Sequence, residues 1–423
     1  MEYRSYNQKS FTKAEKVKRY LSPSEIEEIE VVSQVFPFKV NNYVIEKLID
    51  WDNYRDDPIF RLTFPHRDML FEEDYERVKA LMLKGDKEAL KRVVDSIRLT
   101  LNPHPADQLS NVPKIGEKRL SGSQHKYKET ILFFPKQGQT CHAYCSFCFR
   151  WPQFVGMEDL KFASKEVELL IEYIKAHPEI TDIIFTGGDP LIMSTRLLRG
   201  YVEPILEANI PHLKNIRFGT KTLGFWPYRF TSDPDAQDLL NLFEEIRNRG
   251  YHLAFMAHFN HYRELETPEV KEAVEKILKT GAVIRTQSPI LRHINDSVHV
   301  WEKMWKMQVE MDMIPYYMFV ARDTGAQHYF GVPLHRAWEI FREAYSRVSG
   351  IARTVRGPSM SASPGKICVE GTAVVDGRKV FVLSMIQAKN PSLVNRPFFA
   401  EYNEEAYWID DLKPAFSEKF IFE

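Results

Sequence analysis

Three of the four cysteines in the chain lie within eight residues, at Cys141, Cys145 and Cys148, in the spacing C-x3-C-x2-C. A four-iron cluster is normally held by four cysteine thiolates, each bound to its own iron. Three thiolates would leave one iron open, so that another molecule could bind to it and react there. The neighbouring positions are rich in aromatic residues, which could fold over such a cluster and exclude water.

Two other uses of these cysteines are structural. A zinc site needs four nitrogen or sulfur ligands, typically in paired clusters, and the remaining cysteine, Cys368, has no C-x2-C partner. Cysteines buried in a core need no particular spacing. The spacing therefore favours an iron–sulfur cluster with an open iron. A non-catalytic iron–sulfur carrier is a more remote alternative, because it has no use for that open position.

The composition limits the class of protein and its partners. The chain has 423 residues, 44% of them hydrophobic and 27% charged, which is typical of a soluble protein with a sizeable core. A formal net charge of −1 gives no general electrostatic reason to bind nucleic acid or an anionic membrane. We expect no transmembrane helix and no secretion signal. Few cysteines, three of them needed as thiolates, indicate the reducing cytoplasm.

The elements that must position the cysteines are short apolar runs alternating with amphipathic stretches. The predicted strands are Ile131–Phe134, Asp182–Phe185, Asn215–Phe218, Leu253–Ala257, Ala282–Thr286 and Ile314–Phe319. The predicted helices are Ser164–Ala176, Thr195–Ala208, Pro234–Arg249, Pro268–Lys279, Val298–Met311 and Leu334–Ser349. Six such repeats predict parallel βα units.

The fold class is therefore α/β, and we expect a partial (βα)6 barrel, similar to a TIM barrel but open on one side. An open doubly wound sheet would give a similar series of elements. We divide the chain into a helical N-terminal region (1–120), the barrel (121–350) and a C-terminal β extension (351–423). A loop marked by Pro103, Pro105 and Pro113 ends the first region. A hairpin with an Asp376-Gly377 turn lies in the last.

A second motif, Gly187-Gly188-Asp189, follows the second predicted strand. The cysteine loop follows the first, so both motifs would lie at the carboxyl ends of neighbouring parallel strands, where active sites of such folds occur. Glycine lets a backbone come close to a ligand and expose its polar groups.

The cysteine motif resembles the signature of the radical S-adenosylmethionine (SAM) enzymes. The resemblance implies a [4Fe-4S] cluster on Cys141, Cys145 and Cys148, with SAM chelating the open iron. One electron from a reducing donor would then cleave SAM to a 5′-deoxyadenosyl radical, which abstracts a hydrogen atom from a substrate. By the same resemblance, the segment Gly187, Gly188 and Asp189 would bind the amino group of SAM.

Further segments resemble one branch of that superfamily, the lysine 2,3-aminomutases. These segments are Asp57-Pro58-Ile59, His125-Lys-Tyr, His258-Phe-Asn-His261, Gln287-Ser288-Pro-Ile-Leu291-Arg292 and Pro315-Tyr316-Tyr317. By this resemblance His258 and Gln287 would face SAM, and Arg150 would hold the carboxylate of an amino-acid substrate. Arg322, or in a register shifted by one residue Asp323, falls where the lysine enzymes carry an acidic residue. If Arg322 points inward, the distal group of the substrate would be anionic or neutral. The family also implies a homo-oligomer.

The resemblance is weaker for the second cofactor of that family, pyridoxal 5′-phosphate (PLP). Lys366 is the candidate to hold PLP, but one glycine precedes it where the family has a run of them. If a short insertion relative to the family lies in the Pro135–Thr140 loop, Thr130 takes the position of the arginine that holds the phosphate, and Lys126 and Lys128 could substitute for it. Two hypotheses follow. The first is a 2,3-aminomutase, an isomerase that uses PLP on Lys366. The second is a PLP-independent radical SAM mutase, epimerase, dehydrogenase or lyase.

Overall fold

The computed structural model describes residues 1–102, 111–155 and 163–423 of the chain. Over these ranges the protein is a mixed α/β structure, in which eleven strands form one large mixed sheet. Two of the prolines that marked the predicted loop, Pro103 and Pro105, lie outside the described residues. In the part that the structure describes, no helix is both long and apolar enough to cross a membrane.

The N-terminal region is largely helical. Its elements are β1 (Ser5–Asn7), α1 (Glu15–Tyr20), α2 (Pro23–Val35), β2 (Lys39–Asn41), α3 (Pro58–Thr63), α4 (Glu72–Lys84) and α5 (Lys87–Thr100). Ser22 caps α2, and it forms a capping box with Glu25. Gly85, with a left-handed φ of 69°, ends α4 and separates it from α5.

A buried carboxylate, Asp57, joins this region to the rest of the chain. It caps α3 by accepting hydrogen bonds from the amides of Ile59 and Phe60, both at 2.8 Å. It also pairs with Arg263, which follows a strand of the large sheet. The Asp57-Pro58-Ile59 segment therefore has a structural task, because one side chain fixes both a helix start and a long-range contact.

The central part contains the predicted βα units. After the short β3 (Lys114–Ile115) and β4 (Lys118–Arg119), the strands are β5 (Ser123–Tyr127), β6 (Thr130–Phe133), β7 (Asp182–Phe185), β8 (Asn215–Thr220), β9 (His252–His258), β10 (Val283–Ile290) and β11 (Ile314–Val320). The helices are α6 (Val167–Ala176), α7 (Thr195–Glu207), α8 (Thr222–Phe225), α9 (Ala236–Asn248), α10 (Pro268–Lys279), α11 (Val298–Glu310), α12 (Gln327–Phe330) and α13 (Leu334–Ser346).

All six predicted strands are present, and each pairs in parallel with the next along the chain. This order runs from β6 to β11 without reversal, whereas a doubly wound sheet reverses at a switch point. Alternate strand residues such as Ile183, Phe185 and Phe218 are fully buried in the core that the helices cover. The residues between them, such as Arg217, point to the opposite face, where the sheet can carry polar groups.

The C-terminal part extends the same sheet. Its strands are β12 (Arg356–Ser361), β13 (Gly365–Val375), β14 (Arg378–Ala388) and β15 (Phe398–Glu401). Strand β12 is parallel to β11 and was not predicted. Strands β13 and β14 form the predicted hairpin, and Asp376 and Gly377 both have positive φ in its turn. Cys368 is buried in β13, as a core cysteine.

We expect Asp57→Ala to destabilise the protein by about 2–4 kcal/mol, because α3 loses its cap and Arg263 loses its partner. Urea unfolding followed by circular dichroism would measure this. The matched control is Glu15→Ala, which removes an exposed carboxylate that pairs with Lys18 and should leave the midpoint almost unchanged. Equal midpoints for the two variants would contradict the anchoring role of Asp57.

Candidate active site

The cysteine loop follows β6 and is held by the N-terminal region. The amide of Tyr144 donates to the carbonyl of Lys39 at 2.7 Å, and the amide of Ser146 donates to the carbonyl of Leu62 at 2.9 Å. The Lys39 ammonium donates to the carbonyl of Cys141 at 2.8 Å. The N-terminal segment thus fixes the backbone of the loop, which the sequence motif alone did not indicate.

The three thiols are free and partly buried. Burial raises the pKa of Cys141, Cys145 and Cys148, so each thiolate needs compensation. Each has one cationic neighbour that lowers its pKa. Those neighbours are Lys39 for Cys141, Lys221 for Cys145 and Arg150 for Cys148. The pKa of each thiol stays raised overall, but the cation beside it reduces the cost of forming the thiolate, the form in which cysteine binds iron.

Across residues 1–102, 111–155 and 163–423, no three His, Cys, Asp or Glu side chains converge closely enough to hold one metal ion. A four-iron cluster requires a different arrangement, because each thiolate binds its own iron. Three thiols on one loop, each near a cation, could supply the three thiolates that such a cluster needs.

The Gly187-Gly188 segment lies directly against the start of the cysteine loop. A β-carbon at position 188 would be 2.4 Å from the carbonyl oxygen of Thr140, and one at position 187 would meet the Gln139 amide at 2.1 Å. Gly187 also has a φ of 136°, which other residues rarely adopt. The two glycines therefore allow the loops after β6 and β7 to touch. The predicted contact of Gly187 and Gly188 with SAM stays a prediction.

Asp189 is buried and ties several backbone segments together. Its amide donates to the carbonyl of Thr140 at 2.7 Å. Its carboxylate accepts hydrogen bonds at 2.8 Å from the Thr220 hydroxyl and the Lys221 amide, and one at 3.0 Å from Leu191. Burial raises the pKa of Asp189, and these donors oppose that rise. Asp189 thus holds the start of the cysteine loop to the segment after β8. Its predicted contact with SAM stays a prediction.

His258 and Gln287 lie side by side, paired across β9 and β10. The Nε2 atom of His258 is buried and has no hydrogen-bond partner in the described residues. Burial, together with the charge of Lys221, holds the pKa of His258 well below its usual range, so the imidazole is neutral. Its ring lies 5.8 Å from that of Phe147, between Cys145 and Cys148. A buried polar atom beside the cysteine loop is consistent with a ligand contact.

Arg150 is buried rather than exposed on the surface, with 8% of its area accessible. Its Nη1 atom has no hydrogen-bond partner in the described residues. The guanidinium carbon lies 4.4 Å from the centre of the Phe134 ring and 5.2 Å from that of Phe149. Burial lowers the pKa of Arg150 to about 10, so it remains cationic at neutral pH. This buried cation is suited to bind an anion.

Arg322 follows β11 and lies against the same aromatic residue. Its guanidinium carbon is 5.4 Å from the centre of the Phe149 ring and 5.9 Å from that of Trp408, in the C-terminal tail. Its positive charge acts to lower the pKa of both Arg150 and Tyr127. Arg322 therefore points toward the site.

Lys366 lies on β13, among aromatic side chains. Its ammonium is 4.5 Å from the centre of the Tyr317 ring and 5.6 Å from that of Tyr127, and it donates to the Gln387 side chain at 2.6 Å. Burial, followed by the charges of Arg217, Arg356 and Lys126, lowers the pKa of Lys366 to about 7. A lysine with this pKa is partly neutral at physiological pH, and a neutral amine can attack an aldehyde.

The structure adds residues that sequence reasoning missed. Lys221 donates to the buried carboxylate of Glu264 at 2.6 Å and to the carbonyl of His258 at 3.3 Å. Arg217 pairs with Asp182 on the neighbouring strand. The available signal for Arg217 was the polar residues on otherwise apolar strands, which are Asp182 at the start of β7 and Asn215 and Arg217 at alternate positions of β8.

No protein-family model matches this chain. The chain is 32% identical over 395 residues to a protein of Aquifex aeolicus that is provisionally named L-lysine 2,3-aminomutase, and the match covers 93% of this chain and 92% of that protein. The L-lysine 2,3-aminomutase of Acetoanaerobium sticklandii is 26% identical over 63% of this chain and 67% of its own length. That of Clostridium subterminale is 28% identical over 60% and 57%, respectively.

The likeness covers almost the whole chain and includes the cysteine loop and the strand ends that face it. The protein belongs to the radical SAM superfamily of enzymes. Within that class, it is a member of the lysine 2,3-aminomutase family, whose name denotes isomerases.

We expect Gly188→Ala to disturb the cysteine loop, because the added β-carbon meets the Thr140 backbone and not a flexible side chain. Overpacking of this kind costs about 1–3 kcal/mol. Iron content after anaerobic reconstitution should fall several-fold. Gly200→Ala in α7 is the matched control, since nothing lies within 4 Å of its added β-carbon. Full iron incorporation by Gly188→Ala would refute the proposed close approach of the two loops.

Proposed function

We propose that this protein is a radical SAM aminomutase that moves an amino group between C2 and C3 of an amino acid. Cys141, Cys145 and Cys148 would hold a [4Fe-4S] cluster, with SAM at its open iron, and Lys366 would hold PLP. When bound, the cluster and SAM supply a 5′-deoxyadenosyl radical that abstracts a substrate hydrogen atom, and PLP supplies the conjugated system through which an amino group can migrate.

The observation that carries this proposal is the pairing of each thiol with its own cation. Lys39, Lys221 and Arg150 come from three separate parts of the chain, and the positive charge of each opposes the rise that burial causes in the pKa of one cysteine. A set of buried thiols that served only as core residues would need no such charges. The arrangement supports a cofactor that requires three thiolates together.

The neighbouring residues would orient the ligands and exclude water. The unpartnered Nε2 of His258 and the side chain of Gln287 would contact SAM. Arg150 would bind the substrate carboxylate through the free Nη1 on its planar guanidinium, which fixes the carbon presented to the radical. The aromatic rings of Phe147 and Phe149 would keep water away from that carbon.

The surroundings of Lys366 fit PLP in two respects. Its pKa of about 7 provides a neutral amine for the aldehyde, and the cations Lys126, Arg217 and Arg356 all lie near it. A phosphate beside this lysine would gain from all three charges. Arg356 lies over Tyr317 with its guanidinium carbon 4.4 Å from the ring centre, so it takes part in the same cluster.

We also propose that the sheet closes into a partial barrel around this site. The Lys126 side chain on β5 donates to the carbonyl of Ala362, just after β12. These strands are seven places apart in the sheet. At about 4.8 Å between neighbouring strands, a flat sheet would separate them by about 34 Å. Such a contact supports strong curvature, which would bring Lys366 and the strand ends to one interior.

The PLP-independent alternative has its own support. The Lys366 ammonium is already held by Gln387. Thr130, at the position of the phosphate-binding arginine of the family, donates to Asp182 at 3.0 Å. Asp182 also pairs with Arg217, so one of the three cations is partly neutralised. A direct test of PLP binding therefore separates the two hypotheses.

We expect Cys145→Ala to abolish 5′-deoxyadenosine formation when anaerobically reconstituted protein is mixed with SAM and dithionite, because the cluster loses one of its three thiolates. Liquid chromatography would measure the product. Cys368→Ala is the control, since that cysteine is buried in β13 and should leave the rate nearly unchanged. Lack of 5′-deoxyadenosine from the native chain would reject the radical reaction.

We expect added PLP to give a visible absorption band with the native chain that Lys366→Ala lacks and Lys389→Ala, at an exposed lysine after β14, retains. Because only the neutral amine reacts, the rate of band formation should rise through about pH 7 and then level off. An exposed lysine would instead give a rise that continues toward about pH 10. Absence of the band in the native chain would favour the PLP-independent hypothesis.

A further inference from the structure

We infer that the substrate is an acidic amino acid, whose two carboxylates are bound by Arg150 and Arg322. This inference rests on the proposed radical reaction and concerns only the class of molecule that it takes. The observation behind it is that two guanidinium groups lie against one aromatic ring beside the cysteine loop, although they come from distant parts of the chain.

The shared ring is Phe149, which directly follows Cys148. The guanidinium carbons of Arg150 and Arg322 are 5.2 Å and 5.4 Å from its centre, so their separation cannot exceed the sum of these distances. Trp408 lies 5.9 Å from Arg322 and is itself buried. Two aromatic faces therefore hold Arg322 toward the site rather than toward solvent.

Two of the neighbouring carboxylates, Glu264 and Asp189, are engaged by groups other than Arg150 and Arg322. Glu264 is fully buried and paired with Lys221. Asp189 accepts hydrogen bonds from backbone and hydroxyl donors. Asp323 is 4.0 Å from Arg322, at the outer limit of an ion pair. Arg150 has no carboxylate partner in the described residues, although it is buried. A buried cation of this kind is stabilised when a ligand supplies the missing anion.

The second cation, Arg322, then determines which charge the far end of the substrate side chain can carry. A ligand bound through its α-carboxylate to Arg150 would extend toward the other guanidinium on Phe149. An ammonium group there would meet a like charge, whereas a carboxylate could accept paired hydrogen bonds from Arg322. The site thus selects an acidic side chain through attraction, and it rejects a basic one through repulsion.

The transfer of deuterium into 5′-deoxyadenosine tests this inference. Reconstituted native protein, supplied with SAM, dithionite and PLP, would be incubated with glutamate, aspartate, leucine or lysine, each carrying deuterium at C3. Mass spectrometry would then detect label in 5′-deoxyadenosine. We expect label from an acidic amino acid and little from lysine or leucine. Label from lysine in preference to both acidic amino acids would overturn the inference while leaving the radical reaction intact.

Variants of Arg322 provide the second measurement. We expect Arg322→Gln to raise the KM for the acidic substrate by about tenfold or more, with a smaller effect on kcat, because one charged contact is lost. Arg322→Lys should recover part of that loss. Arg249→Gln changes an exposed arginine far along the chain and should have no effect. An unchanged KM in Arg322→Gln would refute the role of Arg322.

A failure of the proposed function gives a different result from a failure of this inference. If the chain does not perform radical chemistry, 5′-deoxyadenosine is absent with every amino acid and in every variant. If only the substrate class is wrong, 5′-deoxyadenosine forms, and its label comes from another amino acid.

Discussion

The contact between two neighbouring loops is the constraint on which the rest of the site depends. The amide of Asp189 donates to the carbonyls of Gly138 and Thr140, and its carboxylate accepts from the amide of Lys221 after β8. One residue thereby fixes the start of the cysteine loop to the ends of β7 and β8. The approach is possible only because Gly187 and Gly188 lack side chains. A side chain at position 188 would meet the Thr140 backbone, whereas at position 187 the positive φ and the Gln139 side chain oppose one.

A second theme is the placement of positive charge in buried surroundings. Lys39, Lys221 and Arg150 each compensate one thiol, and Lys366 lies among three further cations. Buried cations are costly unless anions accompany them. The protein supplies a carboxylate to Lys221 through Glu264 and to Arg217 through Asp182, whereas Arg150 has no such partner among the residues that the structure describes. The remaining positive charge is consistent with the anionic ligands of the proposed function, which are the cluster thiolates, a phosphate and a substrate carboxylate.

The sequence was informative where chemistry depends on local spacing. Residues adjacent in sequence determine the C-x3-C-x2-C motif, the strands from Ile131 onward and the Asp376-Gly377 turn. Such features can therefore be recognised from the sequence alone. Lys39 and Lys221 could not be found this way, because single lysines acquire their roles only when folding brings them to the thiols. The same holds for Gly187 and Gly188. Their type was recognised, but not their packing, in which Gly187 meets the Gln139 side chain and Gly188 meets the Thr140 backbone.

The single glycine before Lys366, Gly365, has a structural reason that does not involve a cofactor. A β-carbon at Gly365 would be 2.2 Å from the carbonyl oxygen of Gln387, on the paired strand β14. Glycine is thus required there by the close pairing of β13 and β14, whether or not a cofactor is bound. That pairing also brings the Gln387 side chain to the Lys366 ammonium. Strand pairing alone therefore accounts for Gly365. The features that favour PLP are the lowered pKa of Lys366 and the cations around it.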